Sequence, residues 1–109
     1  MLFDVRSYTC KPGTLKAHLE LYEKEGFAVQ CRYLGKPLFY GITETGPLNT
    51  YLHIWVYASA ADREQKRAAM QKDPEWTAYL KHSAEAGYLL AQENRQMTSA
   101  PFFTPVVGQ

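Results

Sequence analysis

The side chains best suited to chemistry fall at alternate positions in two short stretches. In Tyr51-Leu52-His53-Ile54-Trp55-Val56-Tyr57 one alternate set is Tyr51, His53, Trp55 and Tyr57, and near the start of the chain a second is Asp4, Arg6 and Tyr8. Histidine titrates near neutral pH and relays protons, which makes His53 the candidate catalytic base. Its competing role is structural, hydrogen-bonded across a subunit seam. Arg6 carries a planar fork matched to a carboxylate, so it can anchor a small organic acid, or brace the fold through Asp4 or Glu93. Tyr8, Tyr40, Tyr51 and Tyr57 offer hydroxyls, and Trp55 offers a packing wall or a flat surface for a ligand ring. The expected ligand-binding set is therefore Arg6, Tyr8, Tyr51, His53, Trp55 and Tyr57. No metal and no cofactor are expected: no second His or Cys lies at ligand spacing, and His18 and His82 fall on helices expected across the sheet from His53. Cys10 and Cys31 have neither redox spacing nor an activating pattern and read as reduced thiols of a cytoplasmic protein.

The elements that must position these groups follow from periodicity. Residues 2–10 alternate as a strand until Pro12-Gly13 breaks it. Thr14 then caps a helical pattern of Leu15, Leu19, Tyr22, Val29 and Tyr33, which Gly26 should kink or break and Gly35 and Pro37 should end. Residues 38–45 form a second strand, and the turn Gly46-Pro47-Leu48-Asn49 leads into the Tyr51–Tyr57 strand as a hairpin. Ser59 with Asp62 opens a polar helix to about Lys72, whose Ala61, Ala68 and Ala69 imply shallow packing and whose alternating charges imply a solvated face. Asp73-Pro74-Glu75-Trp76 starts another helix, with Trp76 expected in the core. Residues 88–97 form a fourth strand, with Glu93 and Arg95 on one face. The Pro-flanked Phe102-Phe103 tail should pack on something, such as a neighbouring subunit.

The order β-α-β-β-α-β is the split arrangement of ferredoxin-like domains, an α+β class with an antiparallel sheet, and its crossovers place strand 1 beside strand 3. Two strands then project Asp4, Arg6 and Tyr8 together with Tyr51, His53, Trp55 and Tyr57 onto one surface. Hydropathy assigns Phe3, Val5, Leu52, Ile54 and Val56 to the face under the helices. That leaves the polar aromatic face for a pocket or a partner.

Composition narrows the classes. The chain has 109 residues, 46% hydrophobic and 21% charged, with eight tyrosines and a net charge of +1. This suits one globular domain over 1–109, with a core at about 2–98 and a packing tail at 99–109. The scattered basic residues do not form the stripe that nucleic-acid binding needs. No apolar run approaches the roughly 20 residues of a membrane span, and the opening residues do not read as a signal peptide.

Taken in order, several segments resemble NIPSNAP domains. They are Asp4-Val5-Arg6-Ser7-Tyr8 running into Pro12-Gly13, then Leu48-Asn49, His53-Ile54-Trp55-Val56-Tyr57, Ser59-Ala60-Ala61-Asp62-Arg63-Glu64, Asp73-Pro74-Glu75-Trp76 and Pro101-Phe102. The resemblance covers about residues 2–105, with Asp4 where Glu is usual and Phe103 where a smaller residue is common. It implies a ferredoxin-like subunit that joins a second copy through its sheet to give a dimeric α/β barrel, and so a homodimer or higher homo-oligomer. It does not settle an activity, because the same architecture serves cofactor-independent oxygenases, haem-degrading enzymes and binding proteins. The leading reading is a protein that binds a small molecule in a cavity between the sheets. The alternatives are a cofactor-free oxygenase or isomerase with His53 as base, and a non-enzymatic scaffold that recruits protein partners.

Overall fold

A computed structural model describes residues 1–107. The strands are β1 (Leu2–Cys10), β2 (Phe39–Ile42), β3 (Thr50–Tyr57) and β4 (Leu89–Met97), and the helices are α1 (Leu15–Glu25), α2 (Phe27–Leu34), α3 (Ala60–Gln71) and α4 (Pro74–Ala86). The sheet order is β2-β3-β1-β4 with every neighbouring pair antiparallel, so the expected ferredoxin-like topology is present.

Each crossover is a pair of helices. Gly26 separates α1 from α2, and the close packing there leaves no room for a side chain: a Cβ would lie 2.9 Å from the Tyr22 ring and 3.1 Å from the Tyr79 ring. Ser59 Oγ accepts the Asp62 N–H, and the Asp62 carboxylate returns to the Ala58 N–H, which starts α3 as its sequence indicates. Asp73 caps α4 by accepting the Glu75 N–H at 2.8 Å, and its other oxygen accepts the Tyr33 hydroxyl at 2.6 Å. The cap thus also ties α2 to α4. Gly87, with φ of 66°, closes α4 in the left-handed conformation that glycine adopts without strain.

The expected assignment of the sheet faces is reversed. Along β3 the buried residues are Tyr51, His53, Trp55 and Tyr57, whereas Leu52, Ile54 and Val56 are only half-buried. The core combines Trp55 and Tyr57 with Tyr22, Val29 and Leu34 of the first helix pair and Met70, Trp76 and Tyr79 of the second. The helices therefore cover the aromatic face, and Val5, Leu52, Ile54 and Val56 lie on the open one. Area explains the choice. An aromatic side chain removes roughly 150–250 Å² from water, more than a Val or Leu can, provided its polar tip finds a partner. Helices that bring Tyr22, Trp76 and Tyr79 supply complementary rings.

Three smaller expectations change with this reversal. Glu93 and Arg95 pair with Ser7 and Val5, so they lie on the open face and Glu93 cannot brace Arg6. Ala61, Ala68 and Ala69 are exposed, and α3 packs instead through Met70 and the stems of Arg63 and Arg67. In the tail, Phe102 is 91% exposed and has no seat within this chain.

Candidate functional site

The register of β1 on β3 sets the centre of the site. Arg6 lies directly opposite His53, Tyr8 opposite Tyr51 and Asp4 opposite Trp55. Side chains directly across an antiparallel pair are about 5 Å apart at Cβ, so these six form one continuous surface under the helices.

Asp4 is the fixed point of its charge pattern. It is fully buried, and its Oδ2 accepts from Arg6 Nη1 and Arg63 Nε, each at 3.1 Å, while Asn94 Nδ2 approaches Oδ1 at 3.4 Å. Burial works to raise its pKa, but Arg6, Arg63 and Asn94 together hold the carboxyl below the usual range. One carboxylate thus serves two guanidinium groups, and the cluster carries a net positive charge. Arg6 also donates from Nε to the Tyr8 hydroxyl at 2.7 Å.

His53 is 3% exposed, and its hydrogen bonding fixes its tautomer. The indole Nε1–H of Trp55 donates to His53 Nδ1 at 2.7 Å, which makes Nδ1 the lone-pair nitrogen and puts the proton of the neutral ring on Nε2. That Nε2–H is buried and has no partner among the described residues. Burial, reinforced by the Arg6 charge and opposed by Asp4, lowers the His53 pKa to about 3. At neutral pH His53 is therefore an uncharged hydrogen-bond donor. This geometry does not suit the expected general base, because the one nitrogen with a lone pair is already occupied.

Aromatic rings hold this donor in place. Tyr40 stacks on His53 with centroids 4.7 Å apart, and Tyr8 meets it edge-on at 4.9 Å. Tyr51 shares a 2.7 Å hydrogen bond with His18 Nε2, a buried α1 histidine whose pKa burial lowers. The expected place of His18 is across the sheet, but it lies on the same side as His53 because the helices cover that face. Tyr22 donates to Gln30 deeper in the core. Burial raises the Tyr79 pKa to about 12, so that ring too stays neutral.

Between sheet and helices these groups line a partly open cavity of about 380 Å³. Its walls include Arg6, Tyr8, Tyr51 and His53, four of the six expected binding residues. Trp55 and Tyr57 do not reach it. Trp55 sits beneath as the residue that orients His53, and the Tyr57 hydroxyl is buried within reach of the Arg67 side chain, without a hydrogen bond of full geometry. The cavity is thus lined by the chain's own helices and sheet rather than by a second sheet.

Residues missed in the sequence include His18, Arg63, Arg67 and Tyr79. A signal existed: Arg63, Arg67 and Met70 fall at i, i+4 and i+7, one inward helical stripe, as do Leu15, His18 and Tyr22 at i, i+3 and i+7. Among the described residues no group of three or more His, Cys, Asp or Glu side chains could hold a metal ion. No helix there is long and apolar enough to cross a membrane.

A sequence model of NIPSNAP matches residues 3–104, nearly the whole chain. The chain belongs to the NIPSNAP family. It is 32% identical over 78 residues to Protein NipSnap homolog 3A of Homo sapiens, covering 70% of this chain and 30% of that one. It is 35% identical over 75 residues to Protein NipSnap homolog of Dictyostelium discoideum, covering 69% and 33%. The chain thus spans about a third of the length of these NIPSNAP relatives. A solved NIPSNAP family protein of unknown function from Agrobacterium tumefaciens superposes with a TM-score of 0.85 at 34% identity, covering 94% of this chain and 91% of that one. An uncharacterized NIPSNAP domain protein from Burkholderia xenovorans gives 0.88 at 26% identity, covering 96% and 100%. A putative antibiotic biosynthesis monooxygenase from Nitrosomonas europaea covers 91% of this chain and 98% of its own at a TM-score of 0.64 and 10% identity, a likeness of fold alone.

Proposed function

We propose that this NIPSNAP domain binds a small molecule in the cavity between its sheet and its own helices. One observation carries the reading: His53, whose buried Nε2–H has no partner among the described residues, belongs to the lining of the cavity. Leaving such a donor unsatisfied costs roughly 1–3 kcal/mol, a cost that a ligand oxygen placed against it would offset. Trp55 keeps the donor in the right tautomer, and Arg6 lies opposite it across the strand pair. The volume falls at the lower end of small-molecule sites, so the occupant is compact.

The same hydrogen bonds weigh against an oxygenase or isomerase that uses His53 as its base. A neutral Nε2–H polarises an acceptor but does not remove a proton. The open aliphatic face, with Val5, Leu52, Ile54 and Val56, is the surface we infer for self-association into a homodimer. The unpaired thiols of Cys10 and Cys31 suit a reducing, cytoplasmic setting.

The test is a screen of small oxygen-bearing compounds followed by NMR of the histidine side-chain nitrogens. A genuine occupant shifts the His53 Nε2 resonance on saturation. His53→Asn, whose Oδ1 can still accept from Trp55 while the Nε2–H is lost, should keep the fold and abolish the binding. Binding that survives this change would overturn the role of His53, and a screen in which no compound moves that resonance would overturn the cavity reading.

A further inference from the structure

The charge of the cavity wall specifies the ligand more closely, if the cavity binds a small molecule as proposed. Arg6 and Arg67 line it, and no acidic side chain does. Arg6 shares Asp4 with Arg63, so its charge is only partly balanced. Arg67 enters from α3, a half-buried side chain that reaches toward the Tyr57 hydroxyl and forms no ion pair with a carboxylate among the described residues. The histidines on the wall, His18 and His53, are held neutral by burial and add no charge. The unanswered polar group among the lining residues, the His53 Nε2–H, is a donor, and with two arginines in the same lining an acceptor-rich occupant suits this wall.

The remaining walls are flat. Tyr40, Tyr51 and His53 are mutually stacked within 17° of parallel, and Tyr8 stands edge-on to both Tyr51 and His53. Trp76 and Tyr79 add further ring surface from α4. Such walls favour a planar ring over a branched aliphatic body, because rings gain from stacked and edge-on contact beyond simple burial.

We propose that the cavity takes an aromatic monocarboxylate, its carboxylate held by Arg6 and Arg67 with His53 Nε2–H donating to an oxygen, and that Arg67 selects the anion. A guanidinium fork and a carboxylate make paired, charge-assisted hydrogen bonds, which neutral donors match poorly. The helix α3, whose charges suggest only a solvated face, would thereby supply the specificity residue.

The probes are 2-naphthoate and its neutral counterpart 2-naphthamide, titrated against the intact chain with the His53 nitrogen signals and calorimetry as readouts. The carboxylate should bind at least about tenfold more tightly than the amide, and Arg67→Gln should reduce that ratio to about threefold or less while the melting temperature stays within a few degrees. If the amide binds as well as the acid, or if Arg67→Gln leaves the ratio unchanged, the anion inference fails while the binding cavity stands. If neither probe moves the His53 signal, but a neutral compound from the wider screen does, the anion inference alone is overturned. If no compound moves it, both fail together.

Discussion

His53 makes the protein's response to acid a direct measure of its buried state. In the unfolded chain its pKa is the ordinary 6.5, and in the fold it is about 3. Above about pH 7.5 the ring is neutral in both states and contributes no pH dependence. As pH falls through 6.5 the unfolded chain takes up a proton that the folded one refuses, so stability declines until the pH nears 3. At pH 5 the unfolded ring is about 97% protonated and the folded one about 1%, which corresponds to a loss of roughly 2 kcal/mol relative to pH 8. His18, also held neutral by burial, acts in the same direction. Asp4 is separable: its lowered pKa gives stability that is present above pH 3.8 and is lost only below it. The assay is urea denaturation of the wild type and His53→Asn at pH 8 and pH 5. The wild type should lose about 2 kcal/mol more than the variant between the two, since the His18 contribution is common to both. A difference under about 0.5 kcal/mol, or an NMR titration of His53 centred near pH 6.5, would refute the buried neutral donor.

Three further outcomes follow from the packing. Asp4→Asn leaves the half-buried Arg6 and Arg63 against a neutral amide and should cost up to about 3 kcal/mol in chemical denaturation, with Asn94 unable to compensate. Gly26→Ala pushes a methyl group into the Tyr22 and Tyr79 rings and should cost about 1–3 kcal/mol, lowering the melting temperature, whereas helix propensity alone would predict a gain. Ile54→Glu places a charge at the middle of the open sheet face; light scattering should report a monomer, and an unchanged homo-oligomer would show that this face is not the contact.

The topology was legible because its signals are local. Alternation in residues 2–10 and 51–57, the Pro12-Gly13 break, the Ser59 and Asp73 starts and the Gly26 interruption each have a direct backbone consequence. So was the grouping of Asp4, Arg6, Tyr8, Tyr51 and His53, since strand parity and the β1–β3 neighbourhood suffice for it. Which face lay inward was not legible from parity, because both faces of β3 are apolar enough to bury. Hydropathy favours Leu52, Ile54 and Val56, but the decision rests with the partners that α1 and α4 bring, above all Tyr22, Trp76 and Tyr79. The tautomer of His53 was equally out of reach, since it depends on the Trp55 indole reaching Nδ1 from two residues away on the same strand.

The reversal of the faces changes what self-association can do to the site. Had the aromatic face been the subunit seam, ligand binding would have required a second copy, and every seam mutation would have disturbed both. With α1–α4 over that face, the residues that line the cavity come from one chain. The aliphatic face is then free to meet a second copy through side chains that take no part in the site. Strand β3 nevertheless serves both surfaces, because Leu52 and Ile54 flank His53 along the backbone. A partner pressed on Ile54 would stiffen the strand that presents the Nε2–H without touching the ligand. Coupling between assembly and binding would then be carried by strand rigidity, not by shared contacts, and would be weak beside the direct hydrogen bonds.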